Sequence, residues 1–234
     1  IIIMTLHLIK LNSIIQKYIE KPLLLESRKF DIRCYALIAS TSPLLLLFHN
    51  GYARLSLNKY SLDDIEEKSA IFTHLTNNCI QKKHPDYNNF KESSIWSIEK
   101  LKVYLEENSI LKTEDFSKTI ELKIKRIIAY VCRAAYTRLE KKLGTFELLG
   151  FDFMVDESLK VFLLEANTNP AISTNTNCLK NVIPTVVNTT LDLVIKLHEQ
   201  IESKNIEEYI KNIKSQKEIG TFEVLINETN QERL

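Results

Sequence analysis

GFDFMVDESLKVFLLEANTNP, residues Gly150–Pro170, is the stretch that decides the fold. Two apolar runs rich in aromatic and β-branched residues flank the turn-forming segment DESLK, a pattern that predicts a β-hairpin. If Asp156 faces Val161 across the turn, the same register places Asp152 opposite Glu165. The hairpin therefore brings two carboxylates together inside an otherwise apolar segment.

Two interpretations of these carboxylates remain open. Directly opposed residues hold their Cβ atoms about 4.5–5.5 Å apart, and like charges placed there destabilise the pair. Asn167, two positions beyond Glu165, points to the same face. A Mg²⁺ ion bound by oxygens of Asp152, Glu165 and Asn167 would turn the repulsion into attraction. Alternatively, a one-residue slip in register would place one carboxylate in solvent at a sheet edge. The magnesium interpretation is preferred.

A second charged group lies in the segment RKFDIR. Lys29, Asp31 and Arg33 occupy alternate positions, so a strand places all three on one face. The simple alternative is a solvated face with an internal ion pair. Arg54 follows Asn50–Gly51, a dipeptide that predicts a hairpin turn and would return Arg54 to the same sheet. Cations facing hard oxygen ligands describe a site for a nucleotide with magnesium.

Composition narrows the class of protein. The chain has 234 residues, 44% of them hydrophobic, with 31 basic and 30 acidic residues and a net charge of +1. This balance argues against a nucleic-acid-binding protein, which carries a basic surplus. The four cysteines form no CxxC pair, which predicts reduced thiols in a cytosolic protein. No transmembrane helix and no signal peptide are predicted.

The order of predicted elements indicates an α+β fold with a mainly antiparallel sheet flanked by helices. The chain has neither GxGxxG nor GxxxxGK[ST], which excludes the Rossmann and P-loop patterns. Residues 1–13 are predicted to be a remnant or irregular segment, 14–204 a catalytic core and 205–234 a charged, frayed tail. The predicted elements are a strand over Ile14–Ile19, helices over Ser97–Asn108, Thr113–Leu143 and Pro184–Glu202, and a helix stop at Gly144.

Four segments together resemble the tubulin–tyrosine ligase family. They are IQKYIEKPLLL, RKFDIR, HLTNNCIQK and FELLGFDFMVDESLKVFLLEANTNP. Their order and spacing match the family from about Ile15 to Val187. The family comprises ATP-grasp enzymes that attach amino acids to tubulin tails, so the resemblance implies an ATP-grasp-like fold.

The resemblance also implies roles for individual residues. Arg33 would contact a phosphate or acyl phosphate, and Arg54 would clamp the carboxylate of the incoming amino acid, a task that suits a bidentate guanidinium. The remaining matches are the adenine-holding segment Gln16, Lys17, Tyr18 and Ile19, the nucleotide-binding Lys29 and Asp31, the closing loop with Thr76 and Asn77, and the magnesium ligands Asp152, Glu165 and Asn167.

The implied activity is ligation that depends on ATP and Mg²⁺. The implied partners are a free amino acid and the acidic C-terminal tail of tubulin, with no nucleic acid and no membrane, in the cytoplasm at the cytoskeleton. Tyrosine or glycine is favoured over glutamate, because the HLTN loop continues as Asn78–Gln81 where glutamate-adding members carry Tyr-Ser. An acidic tail could also dock on the basic long helix, although a solvated helix face is an equal alternative.

Two further functions remain open. The family has an N-terminal region with a glycine-rich phosphate-covering loop that is not found ahead of Gln16, and the chain opens on Ile1. This predicts a truncated, catalytically weak, tubulin-binding family member that binds ATP weakly. The other function is an ATP-grasp ligase for a different protein acceptor.

Overall fold

The computed structural model describes residues 16–63, 67–213, 219–230 and 232–233. These residues include eight strands of one sheet: β1 (Leu24–Leu25), β2 (Arg28–Thr41), β3 (Leu44–Lys59), β4 (Ile95–Ser97), β5 (Glu147–Val155), β6 (Val161–Asn167), β7 (Glu223–Asn227) and β8 (Glu232–Arg233). The strand order is β6-β5-β2-β3-β7-β8, with β1 on β2 and β4 on β3. Every pairing between these strands is antiparallel, which confirms the predicted sheet.

Helices flank this sheet on both faces. They are α1 (Ile71–His74), α2 (Asn78–Gln81), α3 (Tyr87–Phe90), α4 (Ile98–Glu107), α5 (Thr113–Phe116), α6 (Leu122–Ala135), α7 (Asn177–Glu202) and α8 (Ile206–Asn212). One core forms where α4 and α6 pack on the sheet. A second core forms on the opposite face under α7 and α8.

Strand β2 is the centre of the molecule, because all fourteen of its residues are buried. Phe30, Ile32 and Cys34 face the core under α4 and α6. Tyr35 and Leu37 face the core under α7. The face that carries Lys29, Asp31 and Arg33 is thus charged at the start of the strand and apolar further along.

The Asn50–Gly51 pair does not form the predicted hairpin turn. Strand β3 runs through it, and β2 turns into β3 at Ser42–Pro43. Gly51 has φ +66°, and the pairing of β2 with β3 gains one residue between Tyr35↔His49 and Arg33↔Tyr52. A Cβ at Gly51 would lie 2.0 Å from the Arg33 carbonyl oxygen. The glycine therefore forms a β-bulge.

The bulge decides which residue of β3 faces the site. Beyond it, Asp31 pairs with Arg54. Without the extra residue, the same strand pairing would place Ala53 opposite Asp31 and turn Arg54 to the other face. The predicted return of Arg54 to the sheet is confirmed, but the bulge is its cause.

The helix predictions were partly correct. The helix predicted over Ser97–Asn108 is confirmed as α4, with the Ser97 side chain accepting a hydrogen bond from the Lys100 N–H at its start. The helix predicted to begin at Pro184 instead begins at Asn177, where Thr176 caps it, and it includes Pro184. Pro184 is exposed, on the side of α7 away from the sheet.

The predicted long helix over Thr113–Leu143 is wrong in its extent. It begins as α5, passes through a π-helical turn at Ser117–Glu121, and ends as α6 with a 3₁₀ turn at Tyr136–Arg138. The hydroxyl of Thr41 donates to the Glu140 carbonyl oxygen at 2.9 Å. The helix has thus ended before Glu140, whose carbonyl bonds to the last residue of β2, so Gly144 does not stop the helix.

The predicted fraying after Lys204 is wrong for the residues described there. Ile210, Phe222 and Leu225 are buried, and β7 pairs with β3 in the central sheet. The predicted strand is wrong over residues 16–19, which have no regular structure, and its first two residues lie outside the described part of the chain. The division of the chain at residues 13 and 204 remains a prediction.

Among the described residues, α7 is long and apolar enough to cross a membrane by length and composition. Its buried residues include Leu179, Ile183, Val186, Leu193 and Leu197, and these belong to the core on the sheet. A core helix of this kind passes the same test, so α7 is weak evidence for a membrane span.

Candidate active site

The β5–β6 hairpin brings Asp152 opposite Glu165, as predicted. The register at the turn differs from the prediction, because Val155 and not Asp156 faces Val161. An extra residue, Leu164, interrupts the pairing between Phe153↔Leu163 and Asp152↔Glu165. This bulge shifts the register by one residue and so produces the predicted pair.

The charged residues form a row across four neighbouring strands. Glu165 on β6 pairs with Asp152 on β5, and Asp152 pairs with Arg33 on β2. Two residues earlier on β2, Asp31 pairs with Arg54 on β3. Acidic side chains of β6 and β5 therefore meet basic side chains of β2 and β3 at one end of the sheet.

Asp152 is neutralised by two arginines. Its carboxylate accepts hydrogen bonds from Arg33 Nε and, at 2.9 Å, from Arg33 Nη2, and it lies 2.7 Å from Arg54 Nη2. Burial acts to raise the pKa of Asp152, but the Arg33 and Arg54 guanidiniums outweigh it and lower that pKa. The sequence interpretation assigned this neutralisation to a metal ion, and here the two guanidiniums provide it.

Arg54 also holds Asp31, through Nε at 2.6 Å and Nη2 at 2.7 Å. Burial acts to lower the pKa of Arg54, but Asp31 and Asp152 outweigh it and raise that pKa. The Nε–Nη2 edge of the guanidinium, which can bind a carboxylate through two hydrogen bonds, is thus occupied by Asp31. Within the described residues, Nη1 of Arg54 makes no hydrogen bond, so this nitrogen is the one left to meet a ligand.

The residues predicted to bind magnesium differ in exposure. Glu165 is exposed, Asn167 is partly exposed, and Asp152 is buried. Asn167 Nδ2 donates to Glu165 Oε1 at 3.0 Å, which leaves the other carboxylate oxygen and the amide oxygen for a ligand. Among the described residues, no three His, Cys, Asp or Glu side chains are grouped to hold a metal ion. The exposed donors are nevertheless hard oxygens, the type that Mg²⁺ prefers.

Lys29 lies in a polar corner formed by Tyr18 and His74. Its ammonium donates to the Tyr18 hydroxyl at 3.2 Å and to the His74 carbonyl oxygen at 2.9 Å. The Tyr18 hydroxyl also lies 2.7 Å from His74 Nδ1. Burial lowers the pKa of Lys29 to about 8, against the opposing effect of Asp31. A bound anion would stabilise the charged form of this lysine.

The HLTN loop (His74–Asn77) is fixed above this corner by hydrogen bonds of its own side chains and of Gln81. Thr76 donates its hydroxyl proton to Asp31, and Asn77 Oδ1 accepts the Cys79 N–H at 2.9 Å at the start of α2. Gln81, 2% exposed, accepts the Leu57 N–H at 3.0 Å and donates to the Phe72 carbonyl oxygen at 3.2 Å. The loop is therefore attached both to β2 and to β3.

Two clefts meet over the charged row. The larger, of about 420 Å³, is lined by eleven of the predicted site residues: Gln16, Lys17, Tyr18, Ile19, Lys29, Asp31, Arg54, Thr76, Asn77, Asp152 and Glu165. The smaller, of about 180 Å³, is lined by Arg33 and Asn167 and shares Arg54, Asn77 and Glu165 with the larger. The structure thus brings all thirteen predicted residues to these two clefts.

Sequence analysis missed several residues that line the clefts. Leu75, Ile80, Met154 and Leu164 give the larger cleft an apolar wall. The smaller cleft is lined in part by Tyr52, Ile95 and Leu179. These are ordinary core residue types, and only the folded structure shows that they reach the site. His74 also lines the larger cleft beside Lys29.

The comparison with protein families decides the classification. The model of the Tubulin-tyrosine ligase family matches residues 2–206. The chain belongs to this family. Members of the family have an ATP-grasp-like fold, and the mixed architecture with its open antiparallel sheet agrees with that fold.

Curated members of the family include relatives with different names. The chain is 43% identical over 192 residues to Protein polyglycylase TTLL10 of Macaca fascicularis, covering 80% of this chain and 30% of the relative. It is 44% identical over 188 residues to Inactive polyglycylase TTLL10 of Homo sapiens, covering 78% and 27%. It is 29% identical over 222 residues to Probable alpha-tubulin polyglutamylase Ttll1 of Tetrahymena thermophila, covering 94% and 52%. The chain spans less than a third of the length of the two polyglycylase relatives.

Proposed function

We propose that this chain carries the active site of a ligase that uses ATP and Mg²⁺ to join an amino acid to an acidic protein tail, with the tail of tubulin as the acceptor. The observation that supports this most strongly is the facing pair of Asp152 and Glu165 at the junction of the two clefts. Lys29, Arg33 and Arg54 line the same clefts, and cations of this kind stabilise the negative charge of a triphosphate.

The larger cleft is proposed to bind the nucleotide. Residues 16–19 form one side of it, where the adenine would lie against the backbone and Tyr18. Lys29, buried and without a directly bonded carboxylate among the described residues, would meet the phosphates. Thr76 and Asn77 lie over the same cleft and would close on the nucleotide.

Magnesium is proposed to bind at the exposed carboxylate end of the row. Glu165 and Asn167 would hold it with their free oxygens, and Asp152 would approach it while still paired with the arginines. The ion would offset charge on the transferring phosphoryl group. Arg33 and Arg54, fixed by Asp152 and Asp31, would keep their guanidiniums aimed at the same place at no further cost in side-chain ordering.

The proposed reaction activates a carboxylate of the acceptor. The γ-phosphoryl group passes from ATP to that carboxylate, which gives an acyl phosphate and ADP. The amine of the donor amino acid attacks the acyl carbon, an amide or isopeptide bond forms, and phosphate leaves. Such transfers depend mainly on positioning and electrostatics, which agrees with a site built from charged groups.

The smaller cleft is proposed to bind the donor amino acid. Arg54 Nη1 would meet its carboxylate, and Glu165 would attract its ammonium group. Glycine is the first choice of donor because the relatives that are 43% and 44% identical are named as polyglycylases. Tyrosine is the second choice, from the loop sequence Asn78–Gln81. Action on tubulin would place the protein at the cytoskeleton.

A second candidate function is a catalytically weak family member that binds tubulin. One structural observation favours it: the charge of Asp152 is already balanced by Arg33 and Arg54, so the buried carboxylate stabilises the fold without any metal. Its presence alone therefore does not demonstrate catalysis. The human relative is also named as inactive.

The test is incorporation of a labelled amino acid. The purified chain is incubated with ATP, Mg²⁺, tubulin and labelled glycine, tyrosine or glutamate in separate reactions. We expect glycine incorporation that is lost in Glu165→Gln, with the circular dichroism spectrum and melting temperature unchanged. Absence of incorporation with all three amino acids, while the chain still co-sediments with microtubules, would favour the second candidate.

A further inference from the structure

We propose that Tyr87 is a positioning residue that ties together the two loops bordering the smaller cleft and so sets the affinity of the site for its small substrate. The inference rests on the proposed function for the identity of that substrate, glycine. The link itself rests on contacts in the structure alone. Tyr87 lies at the start of α3, outside both clefts, and is 8% exposed.

The Tyr87 hydroxyl makes two hydrogen bonds to different loops. It donates to Asn78 Oδ1 at 3.0 Å, and it accepts from Asn175 Nδ2 at 3.1 Å. Asn78 is the first residue of α2, directly after the HLTN loop, and it lines the smaller cleft. Asn175 belongs to the loop between β6 and α7, whose residues Asn169, Ala171 and Ser173 also line the smaller cleft.

The other hydrogen bonds of the loop between β6 and α7 lead elsewhere. Within the described residues, the loop between β6 and α7 is held by Tyr35, whose hydroxyl donates to the Ala171 carbonyl oxygen at 3.4 Å, and by Glu92, which accepts the Asn177 N–H at 3.0 Å. Neither contact reaches the HLTN segment. Tyr87 is thus the hydroxyl that joins the loops by hydrogen bonds among the described residues.

The geometry separates the two substrates. The Tyr87 bonds act on the wall of the smaller cleft, whereas the nucleotide corner around Lys29 is fixed by Tyr18 and His74. Loss of the Tyr87 hydroxyl would let the two loops move apart, so that binding would have to restore their positions before the ligand gains its contacts. Affinity for the donor should fall by a larger factor than affinity for the nucleotide, because Asn77 and Ile80 also line the larger cleft.

The test uses Tyr87→Phe, which removes the hydroxyl and retains the ring. Tyr104→Phe is the matched control, because the Tyr104 hydroxyl accepts the Glu26 N–H at 2.9 Å away from both clefts. Calorimetry measures the Kd of glycine in the presence of a non-hydrolysable ATP analogue and Mg²⁺, and separately the Kd of the analogue. Amide hydrogen exchange is measured over residues 77–80 and 168–175.

We expect Tyr87→Phe to raise the Kd for glycine about tenfold, the factor that 1.4 kcal/mol gives at 25 °C and within the range of one or two neutral hydrogen bonds. Both loops should exchange faster, with the Kd of the analogue changed by a smaller factor than the Kd of glycine. Asn175→Ala, which removes one of the two bonds, should reproduce the faster exchange if Tyr87→Phe folds poorly. Exchange of both loops at the wild-type rate in these variants would overturn the proposal.

The same experiment separates this inference from the proposed function. Wild-type protein that binds glycine but never ligates it would contradict the proposed ligase activity and leave the proposed role of Tyr87 unaffected. Wild-type protein that binds no glycine would contradict the proposed donor site. Hydrogen exchange would then decide whether Tyr87 joins the loops.

Discussion

Asp152 and Glu165 face each other across β5 and β6, but within the described part of the chain only Asp152 is paired with cations of the protein. The side chain of Asp152 is buried between Arg33 and Arg54, and Glu165 is exposed with Asn167 as its neighbour. Two chemically similar carboxylates that face each other directly therefore have different roles. Asp152 holds the fold of the site together, and Glu165 is the group open to a ligand.

The first prediction compares the same change at both carboxylates. Asp152→Asn leaves the buried Arg33 guanidinium without its counter-charge and leaves Arg54 with Asp31 alone, and breaking a buried pair from one side costs about 3–5 kcal/mol. Glu165→Gln removes an exposed charge and should change the free energy of unfolding by less than about 0.5 kcal/mol. Urea unfolding measures both. Equal destabilisation by the two variants would contradict the division of roles.

The second prediction concerns the bulge at Gly51. Gly51→Ala places a Cβ against the Arg33 carbonyl oxygen at a positive φ, and the strain should cost more than about 2 kcal/mol. It should also displace Arg54 and impair nucleotide turnover. Gly220→Ala is the matched control, because Gly220 has φ +56° but its Cβ would meet the Thr189 side chain, which can rotate. Thermal melts that rank the two variants equally would refute the role of the bulge.

The third prediction is a pH dependence of nucleotide binding. Because burial lowers the pKa of Lys29 to about 8, its ammonium loses the proton as the pH rises from 7 to 9 in the free protein. The phosphates need the charged form, so the KM for ATP should rise across this range, whereas kcat, which reports the bound complex, should change less. A guanidinium does not deprotonate in this range, so Lys29→Arg should give a flat profile if it binds ATP. A KM for ATP that is constant from pH 7 to 9 in the wild-type protein would contradict this assignment.

The fourth prediction concerns the C-terminal segment. Removal of residues 205–234 would take away α8 and β7 and with them the buried side chains of Ile210, Phe222 and Leu225. Each buried side chain of this size contributes about 1.5–3 kcal/mol, so the shortened chain should be unfolded or aggregated. Removal of residues 231–234 alone is the control. A soluble, cooperatively melting chain that ends at residue 204 would show that the segment is dispensable.

Several parts of the fold could be predicted because a local pattern determined them. The alternation of Lys29, Asp31 and Arg33 placed them on one face, and the hairpin pattern placed Asp152 opposite Glu165. The details depended on longer-range contacts. Gly51 forms a bulge where the pattern indicated a turn, because β3 continues along β2. Helix α6 ends well before Gly144, and the segment that follows it is attached to the sheet by Thr41, about a hundred residues away in sequence, which bonds to the Glu140 carbonyl oxygen.

The candidate site shows the same limit. Charged residue types could be assigned from motifs, but their mutual pairing could not. The sequence does not show that Arg54 is already bound to Asp31 and Asp152, or that Lys125 on the basic helix is buried against Glu121 and Glu223. It also does not show that α6 packs on the face of the sheet opposite the clefts. An acidic tail docked on α6 would therefore have to pass around the sheet edge to reach the site.

The central claim is that Glu165, supported by Asp152, holds magnesium together with a nucleotide. Calorimetric titration of a non-hydrolysable ATP analogue, with and without Mg²⁺, tests it most directly. We predict that Mg²⁺ strengthens binding to the wild-type chain by at least about tenfold, which corresponds to 1.4 kcal/mol, and that Glu165→Gln loses this gain while keeping its fold. An equal gain from Mg²⁺ in the wild-type chain and in Glu165→Gln would contradict the account.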